Sequence, residues 1–319
     1  MNAAQSVAVV IPSWNSARLL PRCLDSLGDQ DVPLELLVVD NGSTDGTVAL
    51  LRERGVEHVA LPQNTGFAAA VNLGVSRVRS ASVLVLNADT ALEPGSLAAL
   101  NAALSSDPSL GGVQPRILLL EEGPSREVAG ARLYSAGMAL CADGRAVELG
   151  AGEPQGRLSS VPREVFGVCG AACLLRRELF DRLGGYDERY FAFYEDVDLN
   201  VRARIAGWRF AYVPEAVIWH LGNASWTAGA PQPEVWNARL VARNRVATQL
   251  KFMPVTALPR ILAVELGALL RAARQGRFRA TLMGKLSAFR WLPALLWERR
   301  ALARAGDPAL ARRWLGVMK

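Results

Sequence analysis

The chain has no run of about eighteen uncharged apolar residues, the length that a membrane-crossing helix needs. Its most apolar stretch, Leu258 to Leu270, is interrupted by Arg260 and Glu265. Ahead of the first apolar run at Val7 there is neither a basic segment nor a small-residue cleavage site, so no secretory leader is expected and the protein is expected to work inside the cell. Cysteine is scarce. The four cysteines, at positions 23, 141, 169 and 173, have no paired Cys-x-x-Cys spacing, which excludes a disulfide scaffold. Cys169 and Cys173 would share a helix face as half a metal site but lack partners, and reduced, mostly buried thiols are expected. No Gly-x-Gly-x-x-Gly follows the first apolar run, and no Gly-x-x-x-x-Gly-Lys-Ser/Thr occurs anywhere. Those absences remove the dinucleotide fingerprint and the ATP or GTP phosphate loop, so a bound nucleotide has to be held by carboxylates and side-chain amides.

What is present describes a globular chain. Half of its 319 residues are hydrophobic and 21% are charged, enough for one large or two modest domains around a real core. The net charge of +6 conceals an asymmetry: residues 251–319 hold 14 Lys and Arg against 3 Asp and Glu, whereas residues 1–250 hold 22 against 27. The basic residues of the tail are interleaved with tryptophan and leucine instead of lining a polar face. That pattern points to anionic lipid and away from nucleic acid.

Along the chain, Val7 to Ile11, Leu34 to Val39, Val56 to Leu61 and Ser82 to Leu86 are short apolar runs that predict strands. Helical spacing follows them at Leu19 to Leu27, Val48 to Leu51, Phe67 to Val78 and Leu92 to Leu104, the last with Pro94 in its first turn. Alternating helices and strands, the strands apolar nearly throughout, predict an α/β fold with a mostly parallel sheet covered on both faces. Ligands of such sheets lie at the carboxyl ends of the strands, here the loops at Pro12 to Asn15, Asp40 to Asp45 and Asn87 to Asp89. Residues 112–165, with several glycines and prolines and little periodicity, predict an insertion or hairpin-rich connection.

Several motifs, in order, carry a resemblance. The segments Val7 to Asn15, Val38 to Thr47, Asn64 to Phe67 with Asn72, and Leu86 to Asp89 resemble the nucleotide-sugar half of the family 2 glycosyltransferases. Gly170-Ala171-Ala172, Gly184 to Glu188, Tyr194 to Leu199 with Arg202, Gly207-Trp208, His220 and Arg243-Asn244 resemble the acceptor half. The likeness spans roughly residues 7–250 and is nearest to bacterial rhamnosyltransferases of cell-wall and surface-polysaccharide assembly. It implies a GT-A fold over residues 1–253, with 254–319 as a basic amphipathic helical extension. The implied reaction is an inverting transfer of a sugar from a dTDP- or UDP-sugar to a glycan or polyprenyl-diphosphate-linked hydroxyl.

The chemistry gives each residue a task. The acceptor hydroxyl needs a base, and the family pattern places it on Asp196, with crowding by Glu195 and Asp198 raising carboxyl pKa values. Asp198 and Arg202 read equally well as an i,i+4 ion pair at an acidic helix start. The leaving diphosphate calls for Mg²⁺ or Mn²⁺, with Asp89 and His220 as candidate ligands. Asn87 stands where the fuller family signature has its first aspartate, so it is assigned to the sugar or ribose. Asp40 is assigned to the base or ribose, with Pro12, Trp14 and Asn15 as the wall beneath it. Gly66 and Asn72 are assigned to the approach of the nucleotide, Arg243 to the diphosphate, and Gly170, Ala171 and Glu195 to the acceptor pocket. His58 reads as structural.

From Pro254 onward Leu258, Leu262, Leu266 and Leu269-Leu270 recur at helical spacing beside Arg260, Arg271 and Arg274, and Trp291 to Trp297 runs into Arg299-Arg300. Two compatible roles follow: an interfacial helix pair at the inner face of the cell membrane, or packing on the catalytic domain or a second subunit as a homodimer. Competing classes are a nucleotidyltransferase, which Pro12-Ser13-Trp14-Asn15 does not suit because it is not a glycine-rich basic loop, and a non-catalytic nucleotide-sugar-binding protein, which has no use for Asp196.

Overall fold

A computed structural model describes residues 6–120, 131–154, 162–222, 233–307, 309 and 313–314. The first half runs β1 (Val7–Ser13), α1 (Leu20–Gly28), β2 (Leu34–Asp40), α2 (Thr47–Glu53), β3 (His58–Ala60), α3 (Phe67–Arg77), β4 (Ser82–Leu86), β5 (Thr90–Leu92) and α4 (Ser96–Ser106). It continues through β6 (Leu110–Leu119), β7 (Leu133–Ser135), β8 (Met138–Leu140), β9 (Ala146–Glu148), β10 (Arg163–Val165) and β11 (Ala172–Arg176). Helices α5 (Arg177–Leu183) and α6 (Glu195–Ile205) precede the long strand β12 (Arg209–His220). The chain then becomes helical: α7 (Pro233–Phe252), α8 (Leu258–Arg274), α9 (Phe278–Ala288) and α10 (Leu292–Ala305).

One sheet organises these elements, in the order β10-β12-β6-β11-β4-β1-β2-β3. Strands β4, β1, β2 and β3 are parallel, as their apolar runs predict. Both faces of this half are buried: Val7, Val9 and Ile11 enter one core cluster while Ala8 and Val10 enter the other, the period-two alternation of a strand covered on both sides. Strand β11 enters antiparallel between β4 and β6, so the second half of the sheet is mixed.

Three local expectations change. The segment beginning at Leu92 is not helical at once: Thr90–Leu92 pairs with the end of β12, and α4 starts only after Gly95, whose φ of 78° turns the chain, leaving Pro94 ahead of the helix. Residues 110–119 form a central strand and not a connection, because β6 pairs with both β11 and β12. Its Gly111-Gly112, Gln114 and Pro115 hide the apolar pattern, and Glu121 to Pro124 lie outside the described residues. Cys169 and Cys173 sit in a loop and in β11, not on a helix, and all four cysteines are free.

The C-terminal helices pack against α7 and the turn before α6, and side chains cross the 253/254 boundary. The carboxylate of Asp198 is fully buried and accepts from Arg202 Nε and Lys251 Nζ, both at 2.6 Å. Lys251 also meets Glu298 of α10 at 2.9 Å, and Arg189 bridges Asp187 and Glu298 while facing the Trp291 ring. Among the described residues no helix is long and apolar enough to cross a membrane. Removing one partner of a buried ionic group leaves the rest uncompensated, so Lys251→Met is expected to lower the unfolding free energy by about 3–5 kcal/mol. Urea denaturation checks this; a loss below about 1 kcal/mol would show that the cluster contributes little to stability.

Candidate active site

Strand register brings the candidate loops together. Ser13 pairs with Asp40 at the carboxyl ends of β1 and β2, and the amide of Asn87 donates to the carbonyl of Ala171 at the end of β4. A small pocket at this edge is walled by Pro12, Ser13, Trp14, Asn41, Asn64 and Asn87, with Phe67 at its border. Asp40 is buried behind it; one oxygen accepts from the amide of Ser43 at 3.1 Å and the other has no hydrogen-bond partner. Asn15, at φ 50°, accepts from the amide of Thr44 and so holds the Asp40 to Asp45 loop against β1.

Phe67 and Asn87 also line a second cavity of about 200 Å³, which joins the nucleotide edge to the start of α6. Asp196 opens into it. One carboxylate oxygen accepts from the amide of Gly170 at 2.9 Å and the other from the amide of Val197 at 2.8 Å. A Cβ at Gly170 would stand 3.2 Å from that Asp196 oxygen, a tight contact that glycine avoids. Glu195 is buried beside it with one oxygen unpartnered. Burial raises the pKa of Asp196 against the opposing amide bonds, and burial with the neighbouring Asp196 charge raises that of Glu195 well above the carboxylate range. A carboxylate that is raised yet fixed by two N–H donors has the chemistry to act as a positioned base.

The segment leading into α6 is strained. Phe191, Phe193 and Tyr194 have φ of 64°, 66° and 72°, values rare for residues with a side chain. The amide of Asn244 donates to the carbonyls of Tyr190, Ala192 and Phe193 and holds this shape. Phe193 and Tyr194 then line the cavity.

Pairing of β12 with β5 sets His220 beside Asp89, both buried, with Nε2 3.1 Å from Oδ1. Asn87 Nδ2 lies 3.4 Å from the same Nε2, and Tyr134 packs edge-on against the imidazole. Two ligand atoms at about 2.1 Å and a right angle from an octahedral ion are about 3.0 Å apart, so this nitrogen and oxygen suit neighbouring ligands of Mg²⁺ or Mn²⁺. Among the described residues no group of three or more His, Cys, Asp and Glu side chains is arranged around a metal position. Among the described residues Asp89 and His220 are the pair that could hold an ion there, with its remaining positions left for diphosphate oxygens and water.

Other assigned residues lie elsewhere. Asn72 clamps the amide and carbonyl of Tyr186, each at 2.9 Å, and lines neither cavity. Gly66, at φ 94°, would place a Cβ 2.6 Å from the carbonyl oxygen of Phe191, so its task is to seat that strained segment against α3. Arg243 donates to the carbonyls of Arg189 and Tyr190, lies over the Trp291 ring at 4.8 Å and lines neither cavity. Asp198 and Arg202 form the ion pair described above. His58 bonds the carbonyl of Val56 through Nδ1.

Glu148 was not foreseen. It reaches the second cavity from β9, accepts from the hydroxyl of Ser135, and is pushed by burial from its ordinary 4.5 up to about 8. It sits in a three-residue strand without periodicity, so only the tertiary placement of its half-buried carboxyl near Cys169 and Asp196 reveals it.

A parallel nucleotide edge that runs into an acidic acceptor cavity under one continuous sheet is the architecture of a GT-A sugar transferase. A family model described as glycosyltransferase like family 2 matches residues 4–238, and the chain belongs to that family. It is 34% identical over 235 residues, 66% of this chain and 75% of the other, to the N-acetylglucosaminyl-diphospho-decaprenol L-rhamnosyltransferase of Mycobacterium tuberculosis. It is 25% identical over 224 residues, 68% of this chain and 67% of the other, to the O-antigen chain rhamnosyltransferase RfbN of Salmonella typhimurium. Among solved structures it resembles the mannosyltransferase PcManGT from Pyrobaculum calidifontis in complex with GDP-Man and Mn²⁺. The TM-score there is 0.53 at 20% identity, covering 98% of this chain and 90% of that one. It also resembles GalNAc-T7 with UDP, GalNAc and Mn²⁺, with a TM-score of 0.60 at 18% identity over 79% and 49% of the two chains. These likenesses bear on the fold alone. The chain is thus a glycosyltransferase, which leaves the nucleotidyltransferase and non-catalytic readings without support.

The raised carboxyl of Glu148 links protonation to stability. Its folded-state pKa lies above the unfolded one, so its contribution is fully present below about pH 4.5 and drains away as pH rises through about 8. Glu148→Gln is expected to flatten the fall in unfolding free energy between about pH 5 and pH 8. An undiminished fall in the variant, followed by urea titration, would assign the proton to another group.

Proposed function

We propose that the chain transfers a sugar, rhamnose first among the candidates, from a nucleoside diphosphate to a hydroxyl of a polyprenyl-diphosphate-linked glycan, with inversion at the anomeric carbon. One observation carries the reading: a single cavity is lined by Asp196 and by Asn87 and His220, so base and leaving-group edge face the same space. The name of the mycobacterial relative supports the sugar and acceptor classes. The unpartnered oxygen of Asp40 is assigned to a ribose hydroxyl or base N–H, with Pro12 and Trp14 as the wall and Asn15 and Asn87 as flanking amides. Asp196 takes the proton of the acceptor hydroxyl as that oxygen bonds to the anomeric carbon and the bond to the diphosphate breaks, and its raised pKa suits a base. Gly170, Ala171 and Glu195 shape the acceptor wall, and the protonated Glu148 offers a hydrogen-bond donor to the acceptor.

Asp89 and His220 would hold a divalent cation, Mg²⁺ or Mn²⁺. When bound, such an ion neutralises charge developing on the leaving diphosphate. The place of work is assigned to the cytoplasmic face of the membrane as a peripheral protein. All the exposed large apolar side chains among the described residues lie between Val235 and Trp297, within the region where basic residues dominate.

Nucleotide release with dTDP-rhamnose, UDP-galactose, UDP-glucose and UDP-N-acetylglucosamine, in the presence of a polyprenyl-diphosphate-linked acceptor, tests the reading. Acceptor-dependent release is expected with dTDP-rhamnose, and release with none of the four rejects the donor class. Asp196→Asn is expected to lower kcat by about two to four orders of magnitude while donor affinity stays nearly unchanged; near-wild-type turnover removes Asp196 as the base.

Activity is expected to vanish in excess chelator and return with Mn²⁺ or Mg²⁺, and Asp89→Ala is expected to weaken cation-dependent donor binding in calorimetry. Full turnover without any divalent ion rules the cation out.

A further inference from the structure

A second open groove, of about 740 Å³, lies between α7 and α9, outside the site described above. Its apolar lining includes Trp236, Met283 and Leu286, and Arg239, Arg279 and Arg290 stand around it. The two helices meet closely there because a Cβ at Gly284 would stand only 2.3 Å from the carbonyl oxygen of Arg239. None of these three guanidinium groups forms an ion pair or side-chain hydrogen bond with a described residue. By contrast, the arginines around the catalytic helix are consumed by Asp198, Glu164 or backbone carbonyls. Met283 and Leu286 remain about half exposed, at 47% and 54%. The apolar surface continues on α8, where Leu258, Leu262, Leu266 and Leu270 recur every fourth residue and are all exposed.

We propose that the α7/α9 groove is a phospholipid-headgroup site at which the protein seats on an anionic bilayer. The arginines engage headgroup phosphates, and the apolar lining with the α8 leucines meets the acyl boundary. Arg279 in α9 and Arg290 in the 3₁₀ turn Phe289–Trp291 that follows it are eleven residues apart, on the order of 16 Å along the helical path, so one small anion cannot satisfy both. An array of phosphates can. A second copy of the chain is disfavoured as the occupant, because it would set one strongly basic tail against another. The proposal deepens the peripheral-membrane reading above and rests on it.

The full chain and its Arg239→Gln/Arg279→Gln/Arg290→Gln variant are compared by sedimentation with vesicles of phosphatidylcholine alone or mixed with phosphatidylglycerol. The wild-type protein is expected to partition onto the phosphatidylglycerol vesicles and to be released as salt rises. The variant is expected to partition roughly a hundredfold more weakly, about fivefold per arginine. Its thermal unfolding and its turnover of a soluble acceptor analogue are expected to match wild type, since the three side chains touch neither cavity of the active site. A variant that binds vesicles as the wild type does overturns the groove assignment. Wild-type protein that turns over the soluble analogue but ignores anionic vesicles at low salt overturns the membrane reading and leaves the transferase reading standing. Dimers in wild type that the variant loses in analytical ultracentrifugation would give the groove to a second copy and likewise overturn the proposal.

Discussion

The carboxylate of Asp198, buried without exposure, is the interaction on which the arrangement of this molecule depends. A charge in that position needs counterions at contact distance, and it draws Arg202 from its own helix and Lys251 from α7. Lys251 in turn meets Glu298 of α10, and Arg202 holds the carbonyls of Leu183 and Gly185. Helix α6 is therefore anchored at once to the turn before it and to two helices after the sheet. Because Asp196 lies two residues earlier on α6, the position of the proposed base is set by packing that extends into the basic tail. The tail completes the structure behind the site, whatever its outer face touches.

Four carboxyl groups stand close together around α6 and show how surroundings divide one chemistry into several. Asp198 is compensated by two cations. Among the described residues Glu195 and Glu148 have no cationic partner, and they are driven toward the protonated form by burial and by the charge of Asp196. Asp196 combines opposing influences, with burial raising it and the amides of Gly170 and Val197 stabilising its ionised form. The outcome is a carboxylate that stays oriented while becoming more basic. The strained turn from Phe191 to Tyr194, held by the amide of Asn244 and the close seat at Gly66, presents it to the cavity.

The surface is divided as sharply as the interior. Over residues 6–222 the described chain hides its large apolar side chains, whereas α8, α9 and α10 expose leucines, Phe278 and Trp297 next to arginines that have no acidic partner among the described residues. Such a face is costly in water, and the proposed anionic bilayer would cover it.

Much of this was legible in the sequence. The strands β1, β2 and β4 are apolar almost throughout, which by itself specifies burial on both faces, and the turn-forming residues after them mark the ligand edge. The leucine spacing of α8 and the charge of the tail needed no tertiary information either, and Asp196 was singled out by its motif. Tertiary structure alone decided the rest. Periodicity reports how deeply a segment is buried but not which segment it pairs with, so the central place of β6, obscured by Gly111-Gly112 and Pro115, and the reversed entry of β11 were invisible. The contact between His220 and Asp89 likewise depends on the pairing of β12 with β5, distant in the chain. The withdrawal of Arg243 and Asn72 from the cavities, and the arrival of Glu148 in one, follow from where backbone carbonyls and hairpins come to lie. Those positions exist only once the chain has closed on itself.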